Sequence, residues 1–226
     1  MSRAKQIIVI NPNSNEHVTD SMNTALNSFR FADGPIIKSV TNLDGPPGIE
    51  SQQDADSAAV QVADIIRRNN IADAFVIACF SDPGIFAARE GTNKPVFGIA
   101  ESGILTALSL GSSYGILAIL DTSVPRHIRY IRSLGLEKRL AGDLAIGLGV
   151  AELRDEKKTF HRLQEVGIKL RDNSGASVLI LGCAGMARYR VGLQESLGIP
   201  VVDPSQAAVS MAISAVFLSY KSIYLN

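Results

Sequence analysis

The chain of 226 residues has two cysteines, and each stands where an apolar run breaks into small or polar residues: Cys79 in FVIACFSDPG and Cys183 in SVLILGCAGM. A thiol can serve as a metal ligand, a nucleophile, a redox centre or, as thiolate, a base toward a carbon acid. Alone, each cysteine reads equally as a small buried apolar side chain, because free cysteine is among the most buried residue types. Matching positions at the ends of two apolar runs favour a shared task. Two thiols far apart in sequence make no disulfide framework, and in a reducing compartment they stay free. A zinc site needs about four ligands, and His17, His127 and His161 stand in no ligand spacing with the cysteines, so no metal is expected. His17 and His127 read as residues at helix starts, and His161 as part of the solvated face of LRDEKKTFHRLQEVGIKL.

The elements that must position these thiols follow from hydrophobic periodicity. Short runs rich in Ile, Val and Leu alternate with longer amphipathic stretches, the pattern of a parallel sheet with crossover helices. Strands are expected near 5–11, 36–42, 74–79 and 95–100, and again near 114–120, 144–150, 177–182 and 199–202. Helices are expected near 15–31, 50–69, 83–90, 101–110, 124–134, 153–173, 186–197 and 205–220. The two sets repeat an order of features. IIVINPNS and GILAILDTS each run a strand into a polar turn, VIACFSDPG and LILGCAGM each run one into a cysteine turn, and KPVFGIAESG and IPVVDPSQAA each place Pro before a strand that leads to a helix. The fold class is therefore α/β, built as two similar halves. Ligands of open α/β sheets bind beyond the carboxyl ends of the strands, so two halves that face each other would present their thiols to one ligand from opposite sides.

Local sequence suggests how each thiol could be activated. Ser81 or Asp82 can cap a helix with Pro83 in its first turn and Gly91 at its end, and the unpaired N–H groups of such a helix favour thiolate at Cys79. After Cys183, Ala184 and Gly185 allow close backbone approach to a ligand. An opposed thiol and thiolate suit removal of a proton from one face of a carbon acid and its return to the other, which is racemisation without a cofactor. Such a pair titrates as a coupled unit. A redox sensor is the alternative from a different class, but a resolving cysteine in the same loop is missing.

Composition narrows the partners. Lys plus Arg and Asp plus Glu are each 22, so the formal net charge is zero and no basic field for nucleic acid exists. No Gly-x-Gly-x-x-Gly or Walker lysine loop follows a strand, which leaves a nucleotide site unsupported. The apolar run in MSRAKQIIVINPNSN stops within about five residues, too short for a secretory core or a membrane span. A cytoplasmic protein is expected, whose partners are a small-molecule substrate and copies of itself as a homo-oligomer.

INPNS at 10–14, GPPGIES at 45–51, ACFSDPG at 78–84 and LGCAGM at 181–186 together resemble the hydantoin and allantoin racemase branch of the aspartate/glutamate racemase superfamily, in order and spacing over nearly the whole chain. The resemblance implies two pseudo-symmetric lobes, each a mainly parallel four-stranded sheet flanked by helices, with the active site in the cleft between them. It also implies that the C-terminal helix returns to the first lobe, which gives residues 1–103 with 205–226 as one lobe and 104–204 as the other. By match of motif, Cys79 and Cys183 are the two bases of a cofactor-independent isomerase. Asn13, the segment Phe80 and Ser81, the pair Thr122 and Ser123, and the segment Ala184 and Gly185 hold the substrate's carbonyls and ring nitrogens. LDTSVPR is a looser match, with Asp121 where an uncharged residue is expected, so Thr122 and Ser123 read either as substrate ligands or as a helix cap.

Members acting on glutamate or aspartate look different, with an acidic or hydroxyl residue in the first turn and a Thr-His pair after the second cysteine. This chain has Asn11 with Pro12, and Ala184 with Gly185. The substrate implied is a 5-substituted hydantoin or a related cyclic ureide such as allantoin, whose neutral carbonyl makes C5 acidic enough for neutral donors to stabilise the enolate. An amino-acid racemase and a maleate-type isomerase, which uses its cysteine as a nucleophile, are the rivals within the superfamily. The decarboxylase branch typically lacks the first cysteine.

Overall fold

The computed structural model describes residues 3–222; residues 1–2 and 223–226, which fall at the two ends of the expected first lobe, lie outside the described residues. The chain runs β1 (Gln6–Asn11), α1 (Glu16–Ala25), β2 (Ile36–Thr41), α2 (Gln52–Arg68), β3 (Ala74–Ile77), α3 (Ile85–Glu90), β4 (Val96–Gly98) and α4 (Ile99–Leu110). It continues through β5 (Tyr114–Ala118), α5 (Val124–Ser133), β6 (Leu140–Ala145), α6 (Glu156–Asp172), β7 (Val178–Leu181), α7 (Arg190–Leu197), β8 (Val201–Val202) and α8 (Pro204–Phe217). These strands form two four-stranded sheets of the same order, β2-β1-β3-β4 and β6-β5-β7-β8. Every pairing is parallel. The inner strands AFVI, YGILA and VLIL are buried throughout, as strands covered by helices on both faces must be. The duplication in the order of sequence features is thus a duplication of topology.

The helix after each sheet's last strand crosses to the other half. α4 leaves β4 and packs on β7 and β8 of the second sheet; α8 leaves β8 and packs on β3, β4 and β1 of the first, and the two helices lie along each other. Gly103 permits the close crossing, since a Cβ there would stand 3.0 Å from Pro204 Cβ. Asp203 caps α8 by accepting from the Gln206 N–H, and Pro204 occupies its first turn, where a missing N–H costs nothing.

Several boundaries differ from the sequence reading. The sixth strand is Leu140–Ala145, four residues earlier than 144–150. The apolar run AIGLGV misled, because Gly147 adopts φ 72° and turns the chain out of the sheet, while Asp143, which reads as a turn residue, is buried in the strand. The helices expected from 153 and 186 begin as 3-10 turns at Val150–Arg154 and Ala184–Tyr189. Finally, α3 starts at Ile85 rather than 83, after Gly84 at φ 75°, and neither Ser81 nor Asp82 caps it.

Asp82 instead caps the following helix. Its backbone holds φ 41°, and its buried carboxylate accepts from Ala100 N–H and Glu101 N–H at 2.9 Å each and from the Tyr130 hydroxyl at 2.9 Å. The N-cap residue of α4 is Gly98, which has no side chain to do this, and a Cβ at Gly98 would fall 2.1 Å from Asp82 Cγ. Glycine at 98 and aspartate at 82 therefore form one device that ties the cysteine turn to the first turn of α4. Gly98→Ala evicts the carboxylate and leaves buried donors unpaired, and the expected loss of stability is about 2 to 4 kcal/mol. Urea unfolding of the variant measures it; an unchanged midpoint would show that the cap carries no weight.

Candidate active site

Cys79 and Cys183 are each the second residue past an inner strand, Cys79 after β3 and Cys183 after β7. Both line one cavity between the carboxyl ends of the two sheets, together with Asn13, Phe80, Ser81, Ser123 and Ala184. Each sulfur also meets the backbone N–H two residues on, Ser81 for Cys79 and Gly185 for Cys183, the latter at 3.4 Å. Cys183 occupies the N-cap of its 3-10 turn, as a helix-start thiol should. Cys79 does not, because α3 begins six residues later.

The protein groups around the thiols do not activate them. Burial pushes Cys79 up to about 12, nearby Cys183 pushes the same way, and the Ser81 N–H and Arg126 only partly oppose them. Burial raises Cys183 to about 11 against the Gly185 N–H, with Asp203 and Glu50 adding to the rise. Desolvation outweighs the donors, so both thiols are protonated at neutral pH, contrary to the activation expected from helix starts.

A network in the first polar turn fixes Asn13. The buried Asn11 amide donates to Asn13 Oδ1 at 3.1 Å, to the Asn15 carbonyl at 3.1 Å and to Thr19 Oγ1 at 3.0 Å. Asn13 Oδ1 also accepts from Asn15 N–H at 2.9 Å. With its oxygen used twice, Asn13 keeps its two amide donors for the cavity it lines, and among the described residues they meet no protein acceptor. Those donors suit a ligand carbonyl.

Phe80 anchors the cysteine turn. Its ring is buried with Ile104, Tyr114 and Ile116 in the core under the second sheet, and the residue also lines the cavity. Thr122 and Gly185, expected at the substrate, are not among the cavity-lining residues. Thr122 is exposed, and its hydroxyl donates to the Glu50 carbonyl at 3.2 Å. Glu50 Oε1 in turn accepts from Val150 N–H at 2.8 Å. The GPPGIES segment thus bridges the two halves, and Ile49 and Val150 line the cavity with the thiols. The cavity has about 30 Å³ of space for water, room for one or two molecules.

Sequence reasoning missed two polar residues of this wall. α5 brings His127 and Arg126 to the cavity, both buried. His127 Nδ1 lies 2.8 Å from Asp143 Oδ2 of β6, and its ring meets Phe80 edge-on with centroids 5.2 Å apart. Arg126 Nε donates to Ser81 Oγ at 3.0 Å and its Nη2 reaches Ser123 Oγ at 3.4 Å. A signal for His127 was available: His127, Ile131 and Leu134 recur at i, i+4 and i+7, which puts the imidazole on the inward stripe of the helix. Among the described residues, no three His, Cys, Asp or Glu side chains cluster as metal ligands. No described helix is long and apolar enough to cross a membrane.

Residues 7–212 match the family described as Asp/Glu/Hydantoin racemase. A hydantoin racemase of Paenarthrobacter aurescens is 35% identical over 226 residues, covering 98% of this chain and 95% of the relative. The structure of an allantoin racemase from Klebsiella pneumoniae superposes with a TM-score of 0.92 at 32% identity, covering 97% of this chain and 90% of the other. That of an allantoin racemase from Pseudomonas fluorescens gives 0.90 at 29% identity, covering 96% and 93%.

Proposed function

The chain belongs to the Asp/Glu/Hydantoin racemase family, and from that premise we propose that it racemises a 5-substituted hydantoin or a related cyclic ureide such as allantoin by proton transfer between two thiols. The observation that carries this reading is the pair of cysteines at equivalent strand ends on one cavity. One sulfur, as thiolate, takes the C5 proton from its face of the ring, and the other, as thiol, delivers a proton to the opposite face. In the reverse direction the roles exchange, and the chemistry calls for no cofactor.

The enolate that forms between these steps carries charge on a carbonyl oxygen, where fixed neutral donors stabilise it. In this reading the amide of Asn13, the segment Phe80 and Ser81, Ala184 and the hydroxyl of Ser123 take on this task and hold the ring nitrogens, and their place on the cavity wall supports it. Gly185 contributes through its N–H on Cys183, and Thr122 through its bond to Glu50. The two lobes, residues 1–103 with 205–226 and 104–204, hold the ring in the cleft between them, where both thiols stand. The protein works in the cytoplasm as a homo-oligomer, whose subunit number light scattering reads.

The test is exchange of the C5 proton for deuterium, followed by NMR, together with loss of optical rotation, on single enantiomers of several hydantoins, allantoin, aspartate and glutamate. Exchange and racemisation of a cyclic ureide are expected. Turnover of free aspartate or glutamate with no ureide turned over would move the chain to the amino-acid branch.

A further inference from the structure

Arg126 is a buried cation without an acid at its side. Its residue is 7% exposed, both of its hydrogen bonds go to serine hydroxyls, and among the described residues no carboxylate lies within ion-pair distance of it. The charges that favour it act only through space, Cys79 first, as thiolate, and Asp54 after it. Among the described residues its Nη1 is given no hydrogen-bond partner, and the residue lines two adjoining cavities. A buried charge without a counter-ion is expensive, and a site that keeps one is built for an anion that arrives with the ligand.

The second of these cavities, of about 340 Å³, meets the thiol cavity at Ser81 and Arg126 themselves. Arg129, one helical turn on, lines the same space and donates to Gln52 Oε1 at 2.8 Å. Two carboxylates reach this wall, and each is otherwise engaged. Asp82 faces the first turn of α4 and Tyr130, while Asp56 lies on the outer side, where Gln52 Nε2 donates to it at 2.8 Å. The remainder is apolar, with Ala59, Pro83 and Phe86 able to cover a short methylene stem. Because the two cavities adjoin at Ser81 and Arg126, the side cavity is within reach of a substituent on a ring held between the thiols.

We propose that the side cavity selects an anionic 5-substituent, a carboxylate on a short stem, with Arg126 as its principal ligand and Arg129 as a second positive group on the wall. The inference rests on the ureide reading above and adds the charge of the substituent. A guanidinium binds a carboxylate through parallel N–H···O bonds, and a neutral amide of the same shape forfeits the charge-assisted part.

The experiment compares hydantoin-5-acetic acid with hydantoin-5-acetamide, a pair matched in shape and differing in charge, by initial rates of racemisation. The wild-type protein should favour the acid by about 10- to 100-fold in kcat/KM. Arg126→Gln should bring that ratio close to one, and Arg126→Lys, which keeps a point charge without the planar fork, should retain part of it. Equal or better turnover of the amide by the wild-type protein would overturn the inference while leaving the ureide reading intact, and it needs no variant to fold. An equal loss on both substrates in Arg126→Gln would also overturn it, assigning the guanidinium to the Cys79 thiolate instead. Absence of exchange on every hydantoin would remove both readings together.

Discussion

Cys79→Ser and Cys183→Ser should each lower racemisation by about a thousandfold or more in both directions. Serine keeps the shape of the side chain but replaces a group that can ionise by a hydroxyl that cannot serve as base or acid in this range. Because each turnover uses one cysteine as base and the other as acid, losing either one stops the crossing of a proton from face to face. Exchange with solvent deuterium has a different requirement. The surviving thiolate can still remove the proton from the enantiomer that presents it on that side, and return a deuteron there. The two variants should therefore keep exchange on opposite enantiomers, a result NMR reads directly on each hydantoin isomer. Near-normal racemisation by either variant would return that cysteine to a packing or nucleophilic role.

The pH profile should be steep. The working state has one thiolate and one thiol, yet burial lifts the pair to about 11 and about 12, so the doubly protonated form dominates at neutral pH. A raised thiol pKa means that each unit of pH below it costs a factor of ten in the ionised form. The rate kcat/KM is then expected to climb about tenfold per unit from pH 7 to pH 10, on the order of a thousandfold in all. The pair titrates as a unit, and Cys183 is one cause of the rise at Cys79. Alkylation of Cys79 by iodoacetamide in Cys183→Ser should accordingly shift to lower pH than in the wild-type protein. A flat rate profile between pH 7 and pH 10 would show that a thiolate already exists at neutrality and that burial is not the controlling influence.

What the sequence disclosed, it disclosed through chemistry local to the chain. Apolar runs ending in Cys79 and Cys183 mark strand ends because a parallel strand buried on both faces must be apolar throughout and must stop where the chain turns. From this the two sheets, and the common address of the thiols, could be read directly. The other wall of the site was hidden for the opposite reason. Arg126 and His127 stand on a helix of the second half, and each has its meaning only through a distant partner, Ser81 and Asp143 respectively. Asp82 shows the same limit: Asp-Pro-Gly reads as the cap of the next helix, yet its carboxylate reaches α4, some eighteen residues on. The sign of the thiol shifts was also out of reach, since N–H donors are visible in a motif and the depth of burial is not.

The crossing of α8 onto the first sheet sets a timetable for synthesis. β1 to β4 leave the ribosome early, but the face that α8 covers has no partner until Pro204–Phe217 has been made. About 100 residues separate Gly98 from Pro204, and at ordinary rates of translation they take on the order of 5 to 20 s to add. For that interval the nascent chain carries an unfinished apolar surface beside a second half still being assembled. The lobe that begins the chain is thus the last to close, and a ribosome stalled in the second half would display that surface to chaperones or to a neighbouring copy.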